Sequence, residues 1–208
     1  RVVVNFDFDV DTEAEADRLW EGFKFEGKSD RNVVSVVARN SAVSGIRFAW
    51  EEGGQMIPYY RISVPRECNL RLKTLAGDIT VGRIKGRMSA KVGKGTVFFR
   101  GVDGSIDATV ESGDLVVSRC TGGVTARVLR GAIRIGTLGG SSELTGSNGG
   151  IEVLRLDGAL TAFAEVGDVA VNFPRHTSQP AKLTSSGGNV WVKIDPAANC
   201  NVEASAMW

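Results

Sequence analysis

Between residues 77 and 171, short bursts of alternating apolar and polar positions are separated by a glycine that returns every nine residues. The series is Gly77, Gly86, Gly95, Gly104, Gly113, Gly122, Gly131, Gly140, Gly149, Gly158 and Gly167. The second place after the glycine is apolar in ten of the eleven units, Ser142 being the departure, and the fourth is apolar in all of them. Fourth places alternate in size: Val81, Phe99, Val117, Ile135, Val153 and Val171 are bulky, while Ala90, Ala108, Ala126 and Ala162 are small. The full repeat is therefore 18 residues, made of two unlike halves.

Apolar places two apart mark a strand whose alternate side chains face one side. The odd halves add an inward place at the seventh position (Ile84, Val102, Cys120, Leu138, Leu156), after a local change of phase. The even halves add theirs at the sixth (Val92, Val110, Val128, Ala164). Strand, glycine corner and strand, repeated at fixed length, predict one coil of a solenoid. The expected fold class is all-β: a single-stranded β-solenoid, or β-helix, with 18-residue coils, of the right-handed kind. Each coil is too thin to bury its own apolar face, so the coils must stack. About seven of them at ~4.8 Å per coil give a rod on the order of 30 Å long.

Around Leu144 the usual small fourth residue is replaced by a large one, and its neighbours shrink to Ser142 and Gly146. An interior near crystal density tolerates only exchanges that conserve volume, so this unit predicts a filled core. A glycine at every corner is expected where the chain takes positive φ or where coils approach closely. Asp, Ser, Thr or Asn beside it, as in Ser112-Gly113-Asp114, Asp103-Gly104 and Asp157-Gly158, reads as turn chemistry.

Outside the beat the pattern is less regular. Val2 to Val10 alternates as a half-buried strand; Thr12 to Glu15 could open a short helix carrying Ala16, Leu19 and Trp20. Phe23 and Phe25, then Val34 to Ala38, then Ile46, Phe48 and Trp50, then Tyr60, Ile62 and Val64 read as further strands, with a turn at Glu52-Gly53-Gly54. Leu70 and Leu72 fall on inward places, so the solenoid is expected to begin near residue 68. Residues 1–66 are read as an irregular β cap or first coils, and residues 67–208 as the repeats, within one structural domain. Such a cap answers a need, since open β-edges template aggregation.

All five prolines lie outside the regular stretch, as a ladder that needs every N–H requires. Pro174 to Pro180 is read as an extruded loop after which Gly188, Val190 and Val192 resume the register three residues late. Val202 and Ala204 suggest another strand. The sequence stops at Trp208 without an evident cap and opens on Arg1 with no signal-like segment, which reads as a mature form or excised piece of a longer chain.

A net charge of +1 over 208 residues recommends neither nucleic acid nor an anionic membrane as the partner. No apolar run is long enough for a spanning helix. Of three cysteines, Cys120 occupies an inward column, and Cys68 and Cys200 flank the repeats too far apart for one bridge; an odd, scattered set argues against both a disulfide framework and zinc. The single histidine, His176, lies on the extruded loop without a second ligand. No phosphate-binding glycine motif is present. No catalytic, cofactor or metal residue is nominated.

The outward carboxylates Asp103, Asp107 and Glu111 are candidates for a glycosidase pair, but Arg100, Arg119 and Lys94 are interspersed among them as on a solvated surface. Arg83, Arg119 and Arg155 share an outward column in alternate coils, ~10 Å apart, which suits either a polyanion or acidic glycan or simple solubilising charge. Phe98, Val116, Leu129, Leu154 and Phe163 are outward and apolar, as a contact surface would be. A hexapeptide acyltransferase helix is excluded: steps of six from Ile79 land on Lys85, Lys91, Val97, Asp103 and Thr109.

Thr74-Leu75-Ala76-Gly77-Asp78-Ile79, Glu111-Ser112-Gly113-Asp114-Leu115 and Ser185-Ser186-Gly187-Gly188-Asn189-Val190, preceded by Ile62-Ser63-Val64-Pro65, resemble segments of the bacterial adhesin-type domain family DUF4097. The resemblance covers most of residues 57–194. It implies a single-stranded β-helix in an exported or envelope-associated bacterial protein, periplasmic or at the cell surface. No catalytic residues come with it. The expectation is a non-catalytic interaction or structural module for an unknown protein or glycan, with homo-oligomers through solenoid ends or a flat face conceivable. Two alternatives are a self-assembling β-helix scaffold like the bactofilins and a carbohydrate-active β-helix enzyme. An ice-binding solenoid is set aside because the outward columns are too mixed.

Overall fold

The computed structural model describes residues 2–9, 23–30, 33–40, 55–174, 179–198, 201 and 203. The chain divides into two compact units, Arg1–Val64 and Pro65–Trp208. In the first, β1 (Val2–Asp9) pairs antiparallel with β4 (Gln55–Ile62), and β2 (Phe23–Asp30) pairs antiparallel with β3 (Val33–Asn40). These match the strands expected from the alternations near Val2, Phe23, Val34 and Tyr60. The expected helix opening at 12–15 and carrying Ala16, Leu19 and Trp20, the strand at 46–50, the turn at 52–54, His176, and Val202 and Ala204 lie outside the described residues.

The second unit is a β-solenoid of seven coils, each coil giving one strand to each of two parallel seven-stranded sheets. Sheet I holds β5 (Leu70–Ala76), β7 (Met88–Lys94), β9 (Ile106–Ser112), β11 (Val124–Arg130), β13 (Ser142–Asn148), β15 (Leu160–Val166) and β17 (Ala181–Ser185). Sheet II holds β6 (Ile79–Lys85), β8 (Val97–Asp103), β10 (Leu115–Cys120), β12 (Ile133–Leu138), β14 (Ile151–Leu156), β16 (Val169–Phe173) and β18 (Val190–Ile194). Like places pair at an offset of 18, as in Ala90↔Ala108 and Ala126↔Ala108, and the even and odd halves of the sequence repeat are the two sheets. The first coil is anchored where expected, with the Cys68 amide donating to the Lys85 carbonyl. Past residues 174–180 the offset becomes 21, Leu160 facing Ala181 and Val169 facing Val190, so the ladder resumes three residues late, as the sequence register does.

Every inward place read from the repeat is buried between β7 and β16, and these residues form one apolar cluster. In the exceptional coil Leu144 is fully buried between Ala126 and Ala162 in its file, and Gly146 lies between Val128 and Ala164. The volume exchange is real. Ser142 also has a second task, because its Oγ accepts the Val124 amide (2.9 Å) and donates to the Gly140 carbonyl (3.1 Å). A buried amide that would otherwise go unpaired is thereby satisfied.

The corner glycines have both of the causes expected. Gly113 sits at φ 133°, and a Cβ there would also strike the carbonyl of Gly95 in the coil before it. Gly140 lacks the positive φ, yet its Cβ would overlap the backbone of Gly122 and Gly123. Coils stacked ~4.8 Å apart leave no room for side chains at such corners.

The residue after the corner ties one coil to the next. Asp78 Oδ1 accepts the Thr96 amide (2.7 Å), and Asn69 Oδ1 accepts that of Arg87 (2.8 Å). Asp114 Oδ1 accepts the Ala132 amide (2.8 Å) while its Oδ2 takes Arg134 Nη1 at 2.6 Å. The Ala132 hydrogen bond, reinforced by Arg134, holds the Asp114 carboxyl below the usual carboxylate value. A depressed folded-state value contributes stability that is present above the unfolded value of ~3.9 and lost as pH falls through the folded one. Asp114→Asn should therefore lower the unfolding free energy at neutral pH by about 1 kcal/mol. Urea melts should show that deficit shrinking below about pH 4; a deficit independent of pH would assign the effect to something other than the charge.

Candidate interaction faces

Side chains that point away from the core are aligned by the same register as those inside it. On sheet I the column Arg71, Ser89, Asp107, Thr125, Glu143, Thr161, Lys182 runs through all seven coils, and beside it run Lys73, Lys91, Thr109, Arg127, Thr145, Phe163 and Thr184. On sheet II the corresponding file is Thr80, Phe98, Val116, Arg134, Glu152, Ala170 and Trp191.

The arginine column expected from sequence is present on sheet II, with Arg83, Arg119 and Arg155 all exposed. It is not three equivalent cations. Arg155 Nε donates to both carboxylate oxygens of Asp157 at 3.0 Å, and that hydrogen-bonded pair raises its pKa. Arg83 lies over Gly101, where a Cβ would meet its Cγ at 3.4 Å. A shallow depression lined by Gly82, Arg83, Phe98, Arg100 and Ser118 results.

The outward apolar residues are brought together only in part, Phe98 and Val116 being register partners. Phe98, Val116 and Leu154 belong to sheet II, whereas Leu129 and Phe163 belong to sheet I, so they cannot form one patch. Nor do the carboxylates converge: Asp103 ends β8 on sheet II, while Asp107 and Glu111 stand four residues apart on β9 of sheet I. Strand rise sets those two Cα atoms about 13 Å apart.

Some of the groups with displaced pKa values serve the stacking. Glu67 and Lys85 bridge two coils at 2.9 Å; their hydrogen bond lowers the Glu67 carboxyl and raises the Lys85 ammonium. Burial pushes the Cys120 thiol up to about 11, which suppresses its thiolate. Among the described residues no group of three or more His, Cys, Asp or Glu is placed to hold a metal, and no helix is long and apolar enough to cross a membrane.

Sequence reasoning noted Lys94 only as interspersed surface charge and passed over the other cations of sheet I. Arg71, Lys73, Lys91, Lys94, Arg127 and Arg130 are all exposed on β5, β7 and β11. Projecting the fifth and eighth places of the even halves as columns exposes the signal: Lys73, Lys91 and Arg127 share one place, Lys94 and Arg130 the other. A depression on this face is lined by Lys73, Lys91, Gly93, Lys94, Glu111 and Arg130, among others.

Fold and faces together define a two-sheet β-solenoid that displays registered columns of side chains. No family model, curated protein or solved structure matches the chain.

Proposed function

We propose that this chain is a non-catalytic, envelope-associated interaction module of the adhesin type, with the outward faces of its two sheets as the working surfaces. The observation that carries the reading is the registered display of exposed side chains on flat faces over a filled, apolar core. Such a scaffold presents side-chain positions at one-coil intervals, a spacing that suits an extended ligand. Of the displaced titratable groups, Glu67, Lys85 and Asp114 are engaged in holding coils together, which supports a structural rather than a catalytic use of them. The adhesin-type segments around Gly77, Gly113 and Gly188 point the same way and to the periplasm or cell surface.

The test is a glycan array with the whole chain, run beside hydrolase assays on the same polysaccharides. Retention of a glycan without turnover supports the proposal. Turnover of a polysaccharide, with no retention of any glycan, overturns it.

A second reading, a scaffold that assembles end to end, is favoured by one feature. Val190 and Val192 occupy inward places on the edge strand β18 and are 43% and 44% exposed. Light scattering behind size-exclusion chromatography over a concentration series checks it: a mass that grows with concentration supports assembly, and a constant monomer mass refutes it.

A further inference from the structure

Resting on that reading, we propose that the first four coils of sheet I bind a linear acidic polysaccharide, a sugar chain bearing carboxylate groups. Six exposed cations, Arg71, Lys73, Lys91, Lys94, Arg127 and Arg130, stand on this part of the face against two carboxylates, Asp107 and Glu111. The whole chain carries only +1, so the positive charge is concentrated here. Among the described residues, none of the six forms an ion pair.

The arrangement works against the fold unless an anion completes it. Lys73 and Lys91 are register partners on neighbouring strands, and like charges directly opposite one another destabilise a sheet. An anionic group lying over both would turn that repulsion into attraction. Arg127 continues the same file two strands beyond Lys91, with Thr109 between them. The cations thus extend along the stacking axis over three interstrand steps, about 14 Å in all. That is the footprint of a chain lying along the rod, and a pyranose unit is about as long as one interstrand step.

Chemistry chooses among linear polyanions. The outward side chains of β5, β7, β9 and β11 include Ser89, Thr109 and Thr125 but no aromatic ring, so the stacking platform that single-stranded nucleic acid uses is missing from this face. Asp107 and Glu111 lie inside the cationic field. They would repel duplex DNA, which carries a phosphate charge every ~1.7 Å. To a sugar chain with charges spaced further apart they offer acceptors for hydroxyl groups, with the Ser and Thr hydroxyls beside them.

The experiment is calorimetric titration of the whole chain with polygalacturonate, with dextran as the uncharged polymer and a single-stranded oligonucleotide as the competing polyanion. Polygalacturonate is expected to bind and dextran not to. Affinity should fall steeply between about 50 and 200 mM salt, as counterion release demands. Lys73→Gln/Lys91→Gln should weaken binding about tenfold and flatten the salt dependence, whereas Arg83→Gln/Arg119→Gln on the opposite sheet should change neither. Circular dichroism melts of both variants, expected to match the parent or exceed it for Lys73→Gln/Lys91→Gln, exclude misfolding as the cause. Absence of polygalacturonate binding, equal loss in the two double variants, or oligonucleotide binding as tight as polygalacturonate would each overturn the inference. A neutral glycan retained on the array alongside any of these would leave the wider interaction role standing.

Discussion

Replacing Leu144 by alanine is expected to lower the unfolding free energy by about 2–5 kcal/mol, the range found when a large aliphatic side chain is deleted from a core that cannot collapse. The site has little capacity to collapse, because Leu144 is fully buried in a file between Ala126 and Ala162. The ladder on both sides holds the backbone in place. Gly146→Ala alone should be destabilising, since a Cβ there would approach the Gly149 carbonyl at 3.1 Å and Ile151 at 3.6 Å. In the Leu144→Ala background the added methyl has space to occupy, so the double variant should be more stable than the sum of the two losses implies. Guanidinium melts of the four proteins measure that coupling. Strict additivity would mean that the two positions do not share one packed volume.

The second large effect is expected at the corners, and three glycines separate its causes. At Gly82 an added Cβ meets nothing within 4 Å and the backbone is not left-handed, so Gly82→Ala should leave stability within about 0.5 kcal/mol of the parent. Gly77 has φ 113° with open space around the missing Cβ. Gly77→Ala should therefore cost only the left-handed penalty of ~1–2 kcal/mol. Gly113 combines φ 133° with a Cβ directed into the Gly95 carbonyl, so Gly113→Ala bears both terms and should be the most destabilising of the three. Thermal melts giving Gly113→Ala no larger a loss than Gly77→Ala would show that the close approach of coils is not limiting.

The interior was legible in the sequence, while most of the surface was not, and the difference has a physical origin. Inward places such as Val97, Val117 and Ile135 are confined by neighbours above, below and across, so few residue types fit and the period shows through. The compensation at Leu144 was readable for the same reason. Outward places carry no such restriction. Phe98 and Phe163 looked like members of one apolar set until the two halves of the coil were assigned to opposite sheets. The six cations of sheet I were not read as one group because Thr109 and Ser112 interrupt their columns in sequence, although β5, β7 and β11 belong to one sheet with only β9 between the last two.

The turn aspartates are a middle case. Asp114 was recognised as a corner residue, but its acceptance of an amide 18 residues ahead, which Asp78 shares, depends on stacking geometry that composition does not encode. The hydroxyl of Ser142 is similar. Its departure from the apolar pattern was visible, whereas the Val124 amide that it satisfies was not.

Everything assigned to the faces depends on residues 18 apart being neighbours, and spin-label distances test that most directly. With Cys68 and Cys200 replaced by serine, and Cys120 protected by burial, single new cysteines at Ser89 and at Glu143, or at Ser89 and at Lys182, occupy one outward column of sheet I. Pulsed electron resonance should give backbone separations of about 14 Å for the first pair and about 24 Å for the second, a constant ~4.8 Å per coil. Separations that fail to grow by equal steps, or a second pair no further apart than the first, would contradict the stacked register and with it the columns on which the proposed binding rests.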